Sequence, residues 1–195
     1  MPPARKSGGL PKTSYAVLGL LSFGERSGYD LKALADYSIA NFFWSPAGSQ
    51  IYAELRRLTY LGFVTETMVR QERRPDKRIY QLTTSGQGAL SDWLEIPEVE
   101  PDIFKSTFLL KIFLGSSTQT ETIVAQVEER RQQIEERISQ LEEKEATLRD
   151  RPELAFAYIT LKSGLAANRA QLLWTEEVVE ELKMRDPGQS YLDNG

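Results

Sequence analysis

The sequence contains no cysteine and no histidine. The first absence excludes disulfides and thiolate metal sites, and a cysteine-free chain is compatible with a cytoplasmic location. The second removes every imidazole base, so no Ser-His-Asp or Cys-His pairing and no His-based zinc site can be assembled. Long apolar runs are also missing. No stretch approaches the roughly 18 residues of a membrane span, and the opening MPPARKSGGLPK has no apolar core of a signal peptide. There is no Walker-type loop, and Gly86-Gln-Gly88 is too short to count as a phosphate-binding fingerprint. An enzymatic reading rests only on unassigned carboxylates such as Asp30 and Glu54. The expectation is a chain without catalytic activity, metal or cofactor.

What is present is divided unevenly. The net charge is −4 over 195 residues, with 41% hydrophobic residues. Residues 1–95 hold 12 Lys and Arg against 9 Asp and Glu, whereas residues 96–195 hold 12 against 19. A mildly basic front half and an acidic rear half fit a nucleic-acid-binding module joined to a solvated helical module.

The organising stretch runs from Ser45 to Leu82. Ser45 is a good N-cap, Pro46 suits the first helical position, and Gly62 is placed to end the helix. Ile51, Leu55 and Leu58 share one face, while Ser49, Gln50, Ala53, Arg56, Arg57 and Tyr60 share the other. This pattern reads either as an ordinary amphipathic surface helix or as a helix lying in a DNA major groove, where amides and guanidiniums read base edges. The residues that follow favour the groove. Phe63–Val69 and Ile79–Leu82 alternate as strands, and Arg70–Arg78 between them carries five cations in nine residues: Arg70, Arg73, Arg74, Lys77 and Arg78. Such a tip can be a plain solvated turn, but beside a cationic helix it suits a wing gripping phosphates. Arg56 and Arg57 would track the backbone, and Gln50 is the base-reading candidate.

Before this stretch, residues 1–11 read as a loose basic tail. A dense apolar helix starts at Thr13, Gly24 to Gly28 forms a turn, and Ser27 caps a helix reaching about Ala40 with Leu31, Leu34 and Ala35 inward. Helix, helix, turn, helix, hairpin is the order of a winged helix-turn-helix. Thr83-Thr-Ser-Gly86 then caps a helix with Ala89, Leu90, Trp93 and Leu94, and Ile96–Pro101, with two prolines, marks the domain boundary. The domains are expected at residues 12–95 and 102–185.

The rear domain reads as Asp102–Leu114 helical, then a long helix from about Thr120 to Arg149 and another from Pro152 to about Met184. The first long helix carries Ile123, Val127, Ile134, Ile138, Leu141 and Leu148 along one stripe. The second carries Leu154, Tyr158, Leu161, Leu165, Leu172, Val179 and Leu182, with Asn168 and Thr175 as polar members. The fold class is therefore mainly α: a winged helix-turn-helix followed by an antiparallel helical hairpin, coiled-coil-like in its seam. A self-contained bundle satisfies these stripes. A homodimer does so too, and it draws on the small residues Ser163, Gly164, Ala166, Ala167 and Ala170. It would set two recognition helices about one DNA turn apart, roughly 34 Å. The candidate dimer residues are Phe108, Ile112, Leu161, Leu165, Ala167, Leu172, Trp174 and Val179.

The ordered motifs are Tyr15-Ala-Val-Leu-Gly-Leu-Leu21, Ser27-Gly-Tyr-Asp-Leu31, Ser45-Pro, Tyr52-Ala-Glu-Leu-Arg-Arg-Leu58, Gly62-Phe-Val64, Arg74-Pro, Lys77-Arg-Ile-Tyr-Gln-Leu-Thr83 and Gly86. Together they resemble the PadR family of bacterial transcriptional regulators. Phe108-Leu-Leu-Lys-Ile-Phe113 and Leu172-Leu-Trp174 are similar to its longer subfamily with a virulence-activator-like α-helical domain. The resemblance covers roughly residues 12–184. It implies a winged-helix homodimer on double-stranded operator DNA, usually a repressor, with some members released by a small aromatic effector. Carried to matching positions, Tyr29, Ser49 and Tyr52 would contact phosphates or the groove, and Arg74 and Lys77 would serve the wing; Lys32 and Ser45 are further candidate DNA contacts beside them. The family's Gly-Arg-Pro at the wing is Arg73-Arg-Pro75 here, followed by Asp76. Phe42, Phe43, Trp44, Tyr158 and Trp174 read either as aromatic packing at the domain joint or as an effector pocket. From another class, a helical protein-binding adaptor using the winged helix as scaffold also fits the net acidity.

Overall fold

The computed structural model describes residues 9–38, 44, 46–70, 76–99, 101 and 104–184. The chain divides into two compact units, residues 1–100 and 101–195.

The first unit runs α1 (Lys12–Leu21), β1 (Arg26–Ser27), α2 (Gly28–Tyr37), α3 (Gly48–Tyr60), β2 (Val64–Val69), β3 (Lys77–Leu82) and α4 (Thr84–Leu94). Its core gathers the apolar faces that helical spacing predicts: Val17, Leu18 and Leu21, Leu31 and Ala35, Ile51, Leu55 and Leu58, closed by Val64 and Tyr80 from the sheet. Burying each large aliphatic side chain contributes about 1.5–3 kcal/mol, so the three on α3 are what hold that helix to the unit. Tyr15 and Trp93 stack at 4.5 Å between ring centroids, tying α4 to α1.

Three features differ from the sequence reading. Arg26–Ser27 is a strand, not part of a turn: it pairs antiparallel with β3 through Arg26↔Tyr80 and Ser27↔Ile79, making a three-stranded sheet ordered β1-β3-β2. Two residues between glycines show no alternation, so only the tertiary pairing reveals them. The second helix stops at Tyr37 rather than near Ala40, where the Ser38 hydroxyl and N–H both donate to the Leu34 carbonyl. The third starts at Gly48 with Ala47 as its N-cap, not at Ser45, which lies outside the described residues. At the other end of this helix, Gly62 adopts φ +76° and the chain enters β2. The first turn of α4 then crosses the carbonyl of Phe63 so closely that a Cβ on Gly86 would stand 2.1 Å from that oxygen.

The second unit contains α5 (Thr107–Phe113), α6 (Thr120–Leu148) and α7 (Ala155–Met184). Helix α5 is shorter than predicted because the Ser106 hydroxyl accepts the Leu109 N–H and caps it there. Contacts run Arg130 to Gln171 and Glu145 to Tyr158, so α6 and α7 are antiparallel. Their seam buries Ile123, Val127, Ile134 and Leu141 against Leu161, Leu165, Thr175 and Val179. This corrects part of the proposed dimer surface. Leu161, Leu165 and Val179 are consumed within one chain, because a two-helix seam uses the same heptad positions whichever helix supplies the partner. Among the described residues no helix is long and apolar enough to cross a membrane.

Candidate nucleic-acid interface

Helix α3 presents Ser49, Gln50, Tyr52, Ala53, Arg56, Arg57 and Tyr60 to solvent, Tyr60 being 90% exposed. Neither Arg56 nor Arg57 forms an ion pair among the described residues. Gln50 is less available than its position implies. Its Oε1 accepts the Ala47 N–H at 2.9 Å, reaching back to close the first turn from the N3 position. That leaves its amide N–H groups, not its oxygen, to face a base.

Between the start of α2, the face of α3 and the base of the hairpin lies a cleft of about 850 Å³ lined by Tyr29, Asp30, Tyr52, Arg56, Asp76, Lys77, Arg78 and Tyr80. Tyr29 stands at its rim, 77% exposed. The Tyr52 ring lies directly on Gly28, where an added Cβ would meet Cε1 at 2.3 Å. Gly28 thus lets the ring lie flat against α2, and Gly28→Ala is expected to swing Tyr52 away with little loss of stability but weaker DNA binding, checked by paired denaturation and gel shift.

Two of the cations in this cleft, Lys77 and Arg78, are paired. Lys77 Nζ donates to Asp30 Oδ2 at 2.8 Å, the same oxygen accepts from the Ser27 hydroxyl at 2.8 Å, and Ser27 Oγ caps α2 through the Asp30 N–H at 3.2 Å. The Lys77 hydrogen bond, then that of Ser27, hold the Asp30 carboxyl below the usual carboxylate range. Arg78 pairs with Glu66 across the strands at 3.2 Å. Burial, followed by Glu66, raises the Tyr80 phenol above its ordinary value. On α2, Lys32 is bonded to Asp36 one turn along. Three of the predicted DNA contacts, Lys32, Lys77 and Arg78, are therefore already engaged with carboxylates. Arg73 and Arg74 lie outside the described residues, as do Ser45, Phe42 and Phe43. The sequence reading missed Asp30, Glu66 and Gly28. Asp30 stood out only as an unassigned acid, and nothing local links it to a lysine 47 positions away. Glu54, the other unassigned acid, accepts a hydrogen bond from the buried Ser14 hydroxyl between α3 and α1.

Two family descriptions match this chain: "Transcriptional regulator PadR-like family" over residues 17–92 and "Virulence activator alpha C-term" over residues 104–183. The negative transcriptional regulator PadR of Bacillus subtilis is 31% identical over 172 residues, covering 85% of this chain and 94% of that protein. The chain belongs to the PadR-like family of transcriptional regulators. The fold of this PadR-like protein matches the crystal structure of B. subtilis PadR in complex with operator DNA at a TM-score of 0.79 and 30% identity, covering 88% of this chain and 99% of that one. It matches PadR in complex with p-coumaric acid at 0.70 and 29%, covering 88% and 95%.

In the second unit of the PadR-like chain, a cleft of about 300 Å³ is lined by Phe104, Phe108, Leu109, Arg130, Ile134, Gln171 and Trp174. Phe108 meets Trp174 edge-on at 6.0 Å. Arg130 is steadied at its rim by Gln171 Oε1 at 3.2 Å and Gln133 Oε1 at 3.4 Å. Tyr158 is not part of this cleft. It precedes Trp174 by sixteen positions on α7, about 24 Å at 1.5 Å per residue, and its hydroxyl bonds Glu145 at 3.3 Å. The predicted grouping of Tyr158 with Trp174 in one pocket is thereby corrected, and Trp44 is half-buried in the first unit. Phe108, Ile112, Leu172 and Trp174 are half-buried within their own unit, and Ala167 is exposed. Large apolar groups left open include Phe104, Leu110, Phe113 and Leu114 in or beside α5, with Phe156, Ile159 and Leu173 on α7.

Proposed function

We propose that this PadR-like protein is a cytoplasmic, sequence-specific DNA-binding repressor that acts as a homodimer on a near-palindromic operator. The observation that carries the reading is the outer face of α3, where Arg56 and Arg57 stand exposed and, among the described residues, without an ion pair, beside an open cleft at the hairpin base. A helix of this composition fits a major groove. The first-turn N–H groups near Ser49 are oriented to take a phosphate, and Tyr29 and Tyr52 offer hydroxyls to the backbone. The wing residues Arg73 and Arg74 are assigned to phosphates by their place in the sequence. In a gel shift, Arg56→Ala or Arg57→Ala is expected to weaken operator and random duplex about equally and to flatten the salt slope by about one unit. Gln50→Ala should relax preference at one base position. Unchanged binding in all three variants overturns the assignment. The adaptor alternative predicts no affinity for random duplex even at low salt.

The homodimer is supported by the apolar groups that the monomer leaves open on α5 and α7, a surface that associates readily when a second copy covers it. The solved relative bound to p-coumaric acid supports an aromatic effector. We assign it to the Trp174 cleft, where two rings supply the walls and Arg130 a partner for a carboxylate. With Trp44 and Trp93 replaced by phenylalanine, p-coumaric acid is expected to quench the remaining fluorescence of Trp174, and Arg130→Gln to weaken that response. A signal unaffected by p-coumaric acid removes the cleft from the account.

A further inference from the structure

Toward the hairpin tip the three-stranded part of the sheet ends at Ile79, opposite Ser27 of β1. Beyond it β3 is paired with β2 alone, through Met68↔Arg78 and Val69↔Lys77. A two-stranded ribbon by itself is marginal in water, so something must set the direction in which the wing leaves the body. Lys77 belongs to the outermost ladder pair, and its ammonium reaches back to Asp30 in the first turn of α2. Asp30 is in turn held by Ser27, whose backbone pairs with β3 at Ile79. Two anchors, one of backbone and one of side chains, thus join the start of α2 to neighbouring points on β3.

We propose that Asp30 is a positioning residue for DNA recognition, tethering the base of the wing to helix α2 through Lys77 so that wing and recognition helix meet the duplex at a fixed angle. The proposal rests on the DNA-binding reading above, and it gives Lys77 a different part from that of a phosphate ligand. The simple electrostatic view makes the opposite forecast. If Asp30 were only an acid on a DNA-facing surface, neutralising it would remove repulsion and free a cation. Binding to every duplex would then tighten, and the salt slope would steepen by about one charge.

The test compares the full-length wild type with Asp30→Asn, Lys77→Met and the double variant. Each is measured on a duplex that the wild type retains from its own genomic DNA and on a random duplex. Operator affinity is expected to fall about tenfold in each single variant and no further in the double one, the mark of two residues acting as a unit. Affinity for random duplex is expected to hold or rise. Without DNA, hydrogen exchange should quicken at Thr67 and Val69, whose amides lie in hydrogen-bonded pairs of the ribbon, in both single variants and stay unchanged at Thr65 and Gln81, nearer the body. Lys77→Met leaves the Ser27–Asp30 cap intact, so its effect is not a loss of α2. Tighter binding of Asp30→Asn to both duplexes, or unaltered exchange at the ribbon, overturns the proposal while leaving DNA binding in place. A wild type that retains no DNA overturns both.

Discussion

Gly86→Ala is expected to destabilise the N-terminal unit by about 1–3 kcal/mol or more, although alanine is the better helix former by up to about 1 kcal/mol. The clash decides the sign. The added methyl would stand 2.1 Å from the Phe63 carbonyl oxygen and 2.8 Å from Leu82 Cδ1. The carbonyl is backbone and cannot swing aside. It accepts the Thr83 N–H at 3.1 Å, and the Thr83 hydroxyl donates to the Gly62 carbonyl at 2.9 Å, so the whole β2–α4 junction would have to open. Gly88 supplies the control. It lies on the same helix with nothing within 4 Å of its added Cβ, so Gly88→Ala is expected to be neutral or stabilising by up to about 1 kcal/mol. Denaturant midpoints of the two variants against wild type check both signs. Equal midpoints would mean that α4 can be lifted from β2 at little cost.

The second large effect is on assembly. Leu110→Asp combined with Phe113→Asp places charge on two α5 side chains that are 56% and 84% exposed in the single chain. Neither packs in the α6–α7 seam, so the fold should survive and its helical circular dichroism should match wild type. The dimer should not survive, because each carboxylate would have to be desolvated in an apolar contact. Sedimentation at micromolar concentration is expected to give a monomer. Operator affinity should drop by about 10²–10⁴, the advantage of linking two half-site contacts. Leu161→Asp is a poor substitute, since Leu161 is 1% exposed inside the hairpin and its replacement would unfold the unit rather than separate copies. A dimeric double variant would move the interface elsewhere on the chain.

The contrast between Leu161 and Phe113 shows where sequence reasoning reached and where it stopped. Spacing placed Leu161, Leu165 and Val179 on one stripe, and they do share a face. Periodicity identifies an apolar face without naming its partner, so spacing alone fits a seam between copies as well as the one that α6 of the same chain fills. The same limit applies to charge. A count of cations leaves Lys77 and Arg78 free for phosphate, yet each has a carboxylate within 3.2 Å, from residues 47 and 12 positions away. Gln50 lies on the outer face of α3, as spacing predicts, but local backbone geometry turns its oxygen onto Ala47.

By itself the sequence determined the two-part organisation in helices and hairpin, the inward faces of Leu31, Ile51, Leu55 and Leu58, and the family. These depend on local periodicity, capping residues and ordered motifs, which are written along the chain. Only the tertiary structure decided that Arg26–Ser27 is a third strand, that Gly28 and Gly86 are sites of close approach, and that Asp30 holds Lys77. Each joins residues distant in sequence, and such a contact exists only once the core has brought the elements together.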